Sequence, residues 1–474
     1  MTSGKSGSLK ILNMNSSQQF PLPRCNLCRV DRSTLRETAM HIETLFPATA
    51  STVDSPPSSS RRKSLEMFFR VFVPFALGHY MSLLLRNINA VLAPNLMASL
   101  ALTPGQLGML TSAFFLAYAL IQLPVGIALD RYGARKVQLM MMLLAGAGAV
   151  MFARGHSLGE LIVARALIGL GLGGCFMSAV KAISAAIAPS KVPSVHGYLI
   201  AIGGLGSATA TLPVRSALDY TDWRGLFLLF AALCACVGLL IWLLAPRDVA
   251  PPAAKAPTFK SLRDVYRNPQ FRKTISLLLI PHAAFFGMQG LWLGRWLSDV
   301  PRYSNDVVAY LLYLSMAAVI FGAIAVGLGT ERAVKRGIKP LDLAAAGVTV
   351  FMLVQASFVF DYAPSFQTLV VLFTLTGTIT GMEYAIVAQS LPKDLTGRAS
   401  TCLNLLIFIA AFLVQAGFGQ VLSLWQVDAA GRYPAIAYRA AFAILVLIQL
   451  PGLAMFLVRR RRASGAVVSG ALPA

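Results

Sequence analysis

The first residue with chemistry to explain is an arginine in an apolar run. In "SLLLRNINAVLAP" (residues 82–94), Arg86 follows three leucines and is itself followed by Asn87 and Asn89. A guanidinium stays charged and presents a planar fork of N–H groups that suits a carboxylate or a similar anion. Glu383, in "TGTITGMEYAIVAQ", is the acid lying deepest in such a run, since the other acids fall near run ends or in loops. Its proton affinity depends on whether a cation stands beside it, so it can exchange a proton when its surroundings change. A permanent ion pair of Glu383 with Arg86 or Lys181 is the structural alternative.

Other polar groups share this setting. Arg165 and Lys181 occupy one apolar stretch but are 16 residues apart, which on a straight helix of about 100° per residue sets them about 160° apart in angle. Both are therefore not expected to face the same way. His282 and Gln289 lie in a later stretch, and His79 lies just ahead of Arg86. Single histidines on apolar helices are more often structural than proton relays. Ionisable groups at membrane depth are costly and read as functional by default.

The elements that position these groups follow from composition. The chain has 474 residues, 56% hydrophobic and 13% charged, with a mean hydropathy of +0.67. Soluble proteins carry roughly 25% charged residues, so this is an integral membrane protein. Twelve candidate spans lie near 68–96, 106–129, 136–154, 159–187, 194–217, 223–245, 274–298, 306–329, 341–360, 366–390, 399–424 and 437–458. Each can cross a hydrocarbon layer of about 30 Å. Only helices satisfy their own backbone groups in this number of crossings, so the expected class is all-α and polytopic.

The net charge of +22 is largely topology. Lysines and arginines crowd into one set of alternating loops, from Arg61 to Lys63, Arg131 to Lys136, Arg247 to Lys273, Arg332 to Lys339 and Arg459 to Arg462. The other set holds only Arg154, Arg224, Arg302, Arg432 and Arg439. By the positive-inside rule both termini are cytosolic, and no compact basic domain remains to bind nucleic acid. All five tryptophans fall near predicted span ends, where interfacial rings belong.

The domain reading is a cytosolic disordered tail over 1–66, a six-span bundle over 67–245, a linker over 246–272, a second six-span bundle over 273–458 and a basic cytosolic tail over 459–474. The first tail could instead be a transit peptide, or the true start could be Met40 or Met67. Cys25 and Cys28 form a lone C-x-x-C without a second pair at metal-ligand spacing, so no metal site is expected. The linker starts Pro/Ala-rich and ends in a short basic amphipathic stretch.

The halves repeat. "GIALDRYGARK" after the second span has a degraded partner in "GLGTERAVKRG" after the eighth, and "APSKVPSVHG" parallels "LPKDLTGRAS", each pair about 200 positions apart. Asp130 at a helix end can accept hydrogen bonds from a neighbouring helix N-terminus. Gly126 and Gly133 permit close backbone approach, and Arg131, Arg135 and Lys136 keep the loop cytosolic.

This loop resembles the signature between helices two and three of the major facilitator superfamily, through Gly126, Asp130, Arg131, Gly133, Arg135 and Lys136. Residues 67–460 resemble that family in span number, six-plus-six division, weaker second copy and "DWRGLFLL" before the sixth span. The resemblance implies two six-helix bundles, and a cavity lined by the first, fourth, seventh and tenth helices. It makes the Asp130 loop a conformational latch for the outward-facing state. "RNINAVLAP" is further similar to the first helix of organic anion:cation symporters, whose arginine eight residues before the proline contacts the anion; here Leu85 stands where those relatives often have aspartate. "LIVARALIGLGLGG" resembles the arginine-glycine motif of the fourth helix, with Ile168 where glutamine is common.

These readings lead to an expectation of a monomeric secondary transporter of the cytoplasmic (inner) membrane, taking up a small organic anion with protons. Arg86, Asn87, Asn89, Arg165, Lys181, His282 and Gln289 would meet the substrate, and Glu383 would exchange the proton. No cofactor is expected, there is no Walker-type loop for ATP, and no nucleophile-base arrangement suggests an enzyme. Proton-coupled export of a metabolite, siderophore or drug is the alternative, although "GYLIAIGGLGSATATLPVRSAL" lacks the Gly-Pro-centred motif of drug:proton antiporters. A transporter-derived sensor is the remote one.

Overall fold

The computed structural model describes residues 57–186, 192–246, 259–360, 365–390, 393–428 and 431–468. The described residues from Arg61 onward form one compact unit and are helical with short turns between helices. Among the described residues nine helices are long and apolar enough to cross a membrane, two further spans are bent pairs, and the fifth is in two shorter pieces. The result is twelve passes in two six-helix bundles.

Polar residues in the turns start these helices. Thr103 accepts from the Gln106 N–H at 3.2 Å while the Gln106 side chain accepts from the Thr103 N–H at 2.9 Å, a reciprocal cap that begins the second span. Ser157, Asp222, Asn268, Ser304 and Ser365 each accept backbone N–H groups in the first turn of the fourth, sixth, seventh, eighth and tenth spans. Between caps the runs are apolar, and lipid leaves the backbone no other partner than itself.

Several spans break near their middles. The first runs as Pro57–Asn87 and Asn89–Leu100 with a 47° bend, and the second as Pro104–Leu120 and Gln122–Tyr132 with a 45° bend. The fourth divides into Leu158–Leu172 and Cys175–Ala186, the fifth into Val192–Thr209 and Leu212–Ala217. The seventh passes from Pro269–Gly287 through a π turn at Met288–Trp292 to Leu293–Asp299. The tenth passes from Phe366–Gly377 through a 3-10 turn at Thr378–Gly381 to Met382–Ser390. All four helices that the resemblance assigns to the cavity are therefore discontinuous. Non-helical backbone at such depth persists where protein or a polar cavity takes up the freed groups. Ser82 donates to the Leu172 carbonyl at 3.3 Å and Gln122 to the Gly173 carbonyl at 3.2 Å, so the break in the fourth span is sealed from the first and second.

The bundles meet along two seams. The second span packs on the eleventh (Lys393–Leu422), and the fifth on the eighth (Asn305–Lys335). The contacts concentrate at the end of the molecule holding the turns near 102, 156, 220, 302 and 428, called here the far end. There the second and eleventh spans come backbone to backbone, a Cβ at Gly419 lying only 2.6 Å from the Pro104 carbonyl oxygen, and Arg215 Nε lies 3.0 Å from Asp306 Oδ1 across the second seam. The far end is closed.

The structure adds to three of these readings. Most of the predicted 1–66 tail lies outside the described residues, but helix already begins at Pro57, and the twelfth helix carries the basic run on to Val468. Loss of apolar pattern marks the lipid edge, not the end of a helix that can continue in water. The tryptophans are not all interfacial: Trp223, Trp292 and Trp296 are buried in protein, Trp296 against Phe358 and Phe366. Residues 247–258 of the linker are outside the described set, while Phe259–Arg267 is a short helix whose Val265 packs on the eleventh span through Cys402 and Leu403.

Candidate functional site

Arg86 sits in the last turn of the first half-helix, two residues before the bend at Ile88. It is partly exposed, and no carboxylate, carbonyl or amide among the described residues bonds to it. Its guanidinium lies instead over the ring of Phe286, 4.8 Å from the centroid. The Tyr118 and Tyr384 phenols are within electrostatic reach. A stacked guanidinium keeps its N–H edge free for an in-plane acceptor, so the geometry presents a cation that still needs an anion.

The neighbouring asparagines do not join it. Asn87 Nδ2 donates to Ser207 Oγ at 2.9 Å on the fifth span, and Asn89 Nδ2 to Thr111 Oγ1 at 2.9 Å on the second. Both fix the bend against its neighbours, as interhelical amides do in membranes. Arg165, only 1% exposed, donates from Nη1 to the Leu85 carbonyl at 2.8 Å. The carbonyls of a helix's last turn lack intrahelical partners, and Arg165 takes one of them directly beside Arg86. Its guanidinium lies against the Phe152 and Phe227 rings, at 5.4 and 5.8 Å, which pack on each other at 4.1 Å. Arg165 acts on Arg86 through the backbone.

The acid is satisfied elsewhere too. Glu383, 0% exposed and just after the 3-10 turn, pairs with His282 Nδ1 rather than with Arg86 or Lys181. The other face of this arrangement is aromatic: the His282 ring meets Phe286 edge-on at 4.4 Å. One side chain, Phe286, thus touches both the free cation and the buried acid-base pair. Gln289 is buried within the π turn, its Nε2 without a partner among the described residues.

Lys181 lies with the Asp130 loop, its Nζ 2.7 Å from Asp130 Oδ1 and 2.7 Å from the Leu129 carbonyl. The pair stays inside one bundle. Gly133 has φ +81°, ending the half-helix Gln122–Tyr132 in a conformation that favours glycine. Arg135 donates to the Trp242 carbonyl and lies over that ring at 4.4 Å, Arg131 lies over Tyr132 at 5.2 Å, and Lys136 is exposed. Gly126 has open space where a side chain would start, so no close approach is made there.

Sequence reasoning missed the aromatic members. Phe408 of the eleventh span lies 4.3 Å from Tyr118 of the second and 5.8 Å from Phe286, bridging the bundles beside Arg86. Nothing in the apolar pattern separates these rings from lipid-facing ones; their lack of charge hid them.

Twelve helices in two bundles around an unpaired central cation define a polytopic membrane transporter. Residues 75–415 match the Major Facilitator Superfamily, and the chain belongs to that family. It is similar to the probable sulfoacetate transporter SauU of Cupriavidus necator, with 25% identity over 335 residues, 66% of this chain and 76% of that protein. It also resembles the putative niacin/nicotinamide transporter NiaP of Bacillus subtilis, 27% identical over 37% of this chain and 44% of the relative. The hexuronate transporter of the same organism is 29% identical over 30% and 34%. The chain thus spans less than half of the latter two. Among solved structures, a bacterial homologue of the human lysosomal transporter Spinster, inward-facing and unoccupied, superposes with a TM-score of 0.68 at 18% identity, covering 86% of this chain and 98% of that one. The nucleoside transporter NupG gives 0.63 at 13% identity, covering 83% and 98%. Both likenesses concern the fold.

Proposed function

We propose that the protein takes up a small organic anion together with protons by alternating access. The observation that carries this reading is the unpaired Arg86 guanidinium stacked on Phe286, whose ring also touches the His282–Glu383 pair. Arg86 receives the anion and His282–Glu383 holds the exchangeable proton. Phe286, belonging to the other bundle, makes each site sensitive to the state of the other. The relatives named for sulfoacetate, niacin and hexuronate support an organic substrate.

The Lys/Arg bias of the loops favours a cytoplasmic membrane location with both termini in the cytosol. On that orientation the far end, where the bundles meet, faces outward. Asp130, bonded within its own bundle here, is then the released form of the latch that the family resemblance implies.

Uptake of a panel of anions into proteoliposomes, with and without an inward proton gradient, tests this. Gradient-stimulated uptake lost in Arg86→Gln supports it. Uptake of no anion, or wild-type rates in Arg86→Gln, would exclude it, and extrusion of the same compounds from loaded cells would reverse the direction.

A further inference from the structure

We infer that the site takes a planar aromatic monoanion, such as an aromatic monocarboxylate, with its charge on Arg86 and its ring among Phe286, Phe408, Tyr118 and Tyr384. This rests on the reading of Arg86 as the anion site.

The valence follows from counting cations at the centre. Arg165 is bonded to the Leu85 carbonyl, Lys181 to Asp130, His282 to Glu383 and Arg295 to Asp299. The Leu85 carbonyl does not neutralise Arg165, but that arginine is 1% exposed and its guanidinium lies against the Phe152 and Phe227 rings. Among the described residues Arg86 is therefore the deep arginine that is partly exposed and has no hydrogen-bond acceptor. It can neutralise one negative charge, and a dianion would keep the second uncompensated in a low-dielectric setting.

The ring follows from the surroundings. The guanidinium lies over Phe286 at 4.8 Å, and no described acceptor bonds its N–H groups. Phe286 continues to Phe408 at 5.8 Å, and Phe408 to Tyr118 at 4.3 Å. The Tyr384 hydroxyl already donates to Asn404 Oδ1 at 2.6 Å, and among the described residues Gln289 Nε2 is the unpartnered amide donor of the seventh span. A sugar acid would set several hydroxyls against ring faces, whereas a flat ring gains offset or edge contacts with these faces. The rings come from both bundles, Tyr118 from one and the other three from its partner, so an aromatic ligand also bridges the halves that must rock together.

The test is titration of the full chain in nanodiscs with benzoate, cyclohexanecarboxylate, phthalate, sulfoacetate and glucuronate. Benzoate should bind at least fivefold more tightly than cyclohexanecarboxylate, which has the same charge and similar bulk but no π face. It should bind at least tenfold more tightly than phthalate, sulfoacetate or glucuronate. Phe286→Leu should shrink the benzoate preference over cyclohexanecarboxylate to below twofold, and Phe286→Tyr should retain it. Equal binding of the two monocarboxylates, or tighter binding of a dianion or of glucuronate, overturns the aromatic monoanion while leaving Arg86 as an anion site if Arg86→Gln abolishes that binding. No binding of any probe, or binding unchanged in Arg86→Gln, overturns both.

Discussion

The guanidinium of Arg86 on the first span lies 4.8 Å from the ring centroid of Phe286 on the seventh, so the central cation of one bundle rests on an aromatic face of the other. A desolvated cation–π contact is worth about 2 kcal/mol, enough to hold the side chain without neutralising it. Any rocking of the bundles changes that contact, and an anion arriving at Arg86 changes what rocking costs.

Arg86→Gln should lower anion affinity by roughly ten- to a hundredfold, the equivalent of losing a charged hydrogen bond of about 1.5–3 kcal/mol. Arg86→Lys should recover only part of it, because an ammonium lacks the planar fork. Titration and initial uptake rates check both.

Glu383→Gln should abolish stimulation of uptake by an inward proton gradient while exchange of substrate across the membrane at equal pH continues. Wild-type uptake should rise as the external pH falls, and the variant's profile should be flat. Gradient-driven uptake in Glu383→Gln would remove this residue from the proton path.

Arg165→Met should destabilise the N-terminal bundle by about 1–3 kcal/mol, because the buried Leu85 carbonyl loses its donor. Thermal unfolding followed by size-exclusion chromatography should show a midpoint lower by several degrees. Substrate affinity should fall as well, since the backbone next to Arg86 is no longer fixed.

Asp130→Asn should slow transport at least tenfold with substrate affinity within about threefold of wild type, because it weakens the charge pair with Lys181 and removes the acid that the latch needs. Pairing across a single bundle means that Lys181→Met should shift the balance of conformations instead of abolishing binding. Uptake rates and equilibrium titration separate the two.

Gly419→Val should open the far end. A Cβ at Gly419 would meet the Pro104 carbonyl at 2.6 Å and the Trp292 ring at 2.8 Å, backbone and a buried indole that cannot both yield in a packed seam. Spin labels at the exposed Tyr220 and Val307, in a background without native cysteines, should move apart relative to the glycine parent.

The fold was legible because lipid imposes a rule that composition obeys. Apolar runs long enough to span, polar caps between them and cations on alternate loops do not depend on how the helices pack, and the Asp130 loop, together with span number and the internal repeat, carried the resemblance to the family. The same sequence showed that Arg86 and Glu383 were out of place in their solvent. It left their partners open, because a helical period gives a residue's face but not which neighbour stands opposite. Only the tertiary structure decided that Glu383 meets His282, that Lys181 meets Asp130, that Arg165 secures the Leu85 carbonyl and that Asn87 and Asn89 tie down the bend. It also decided that Phe286, an unmarked residue in an apolar run, joins the cation to the acid. Such pairings are set by contacts between helices distant in sequence, where distance and direction in space select the partner.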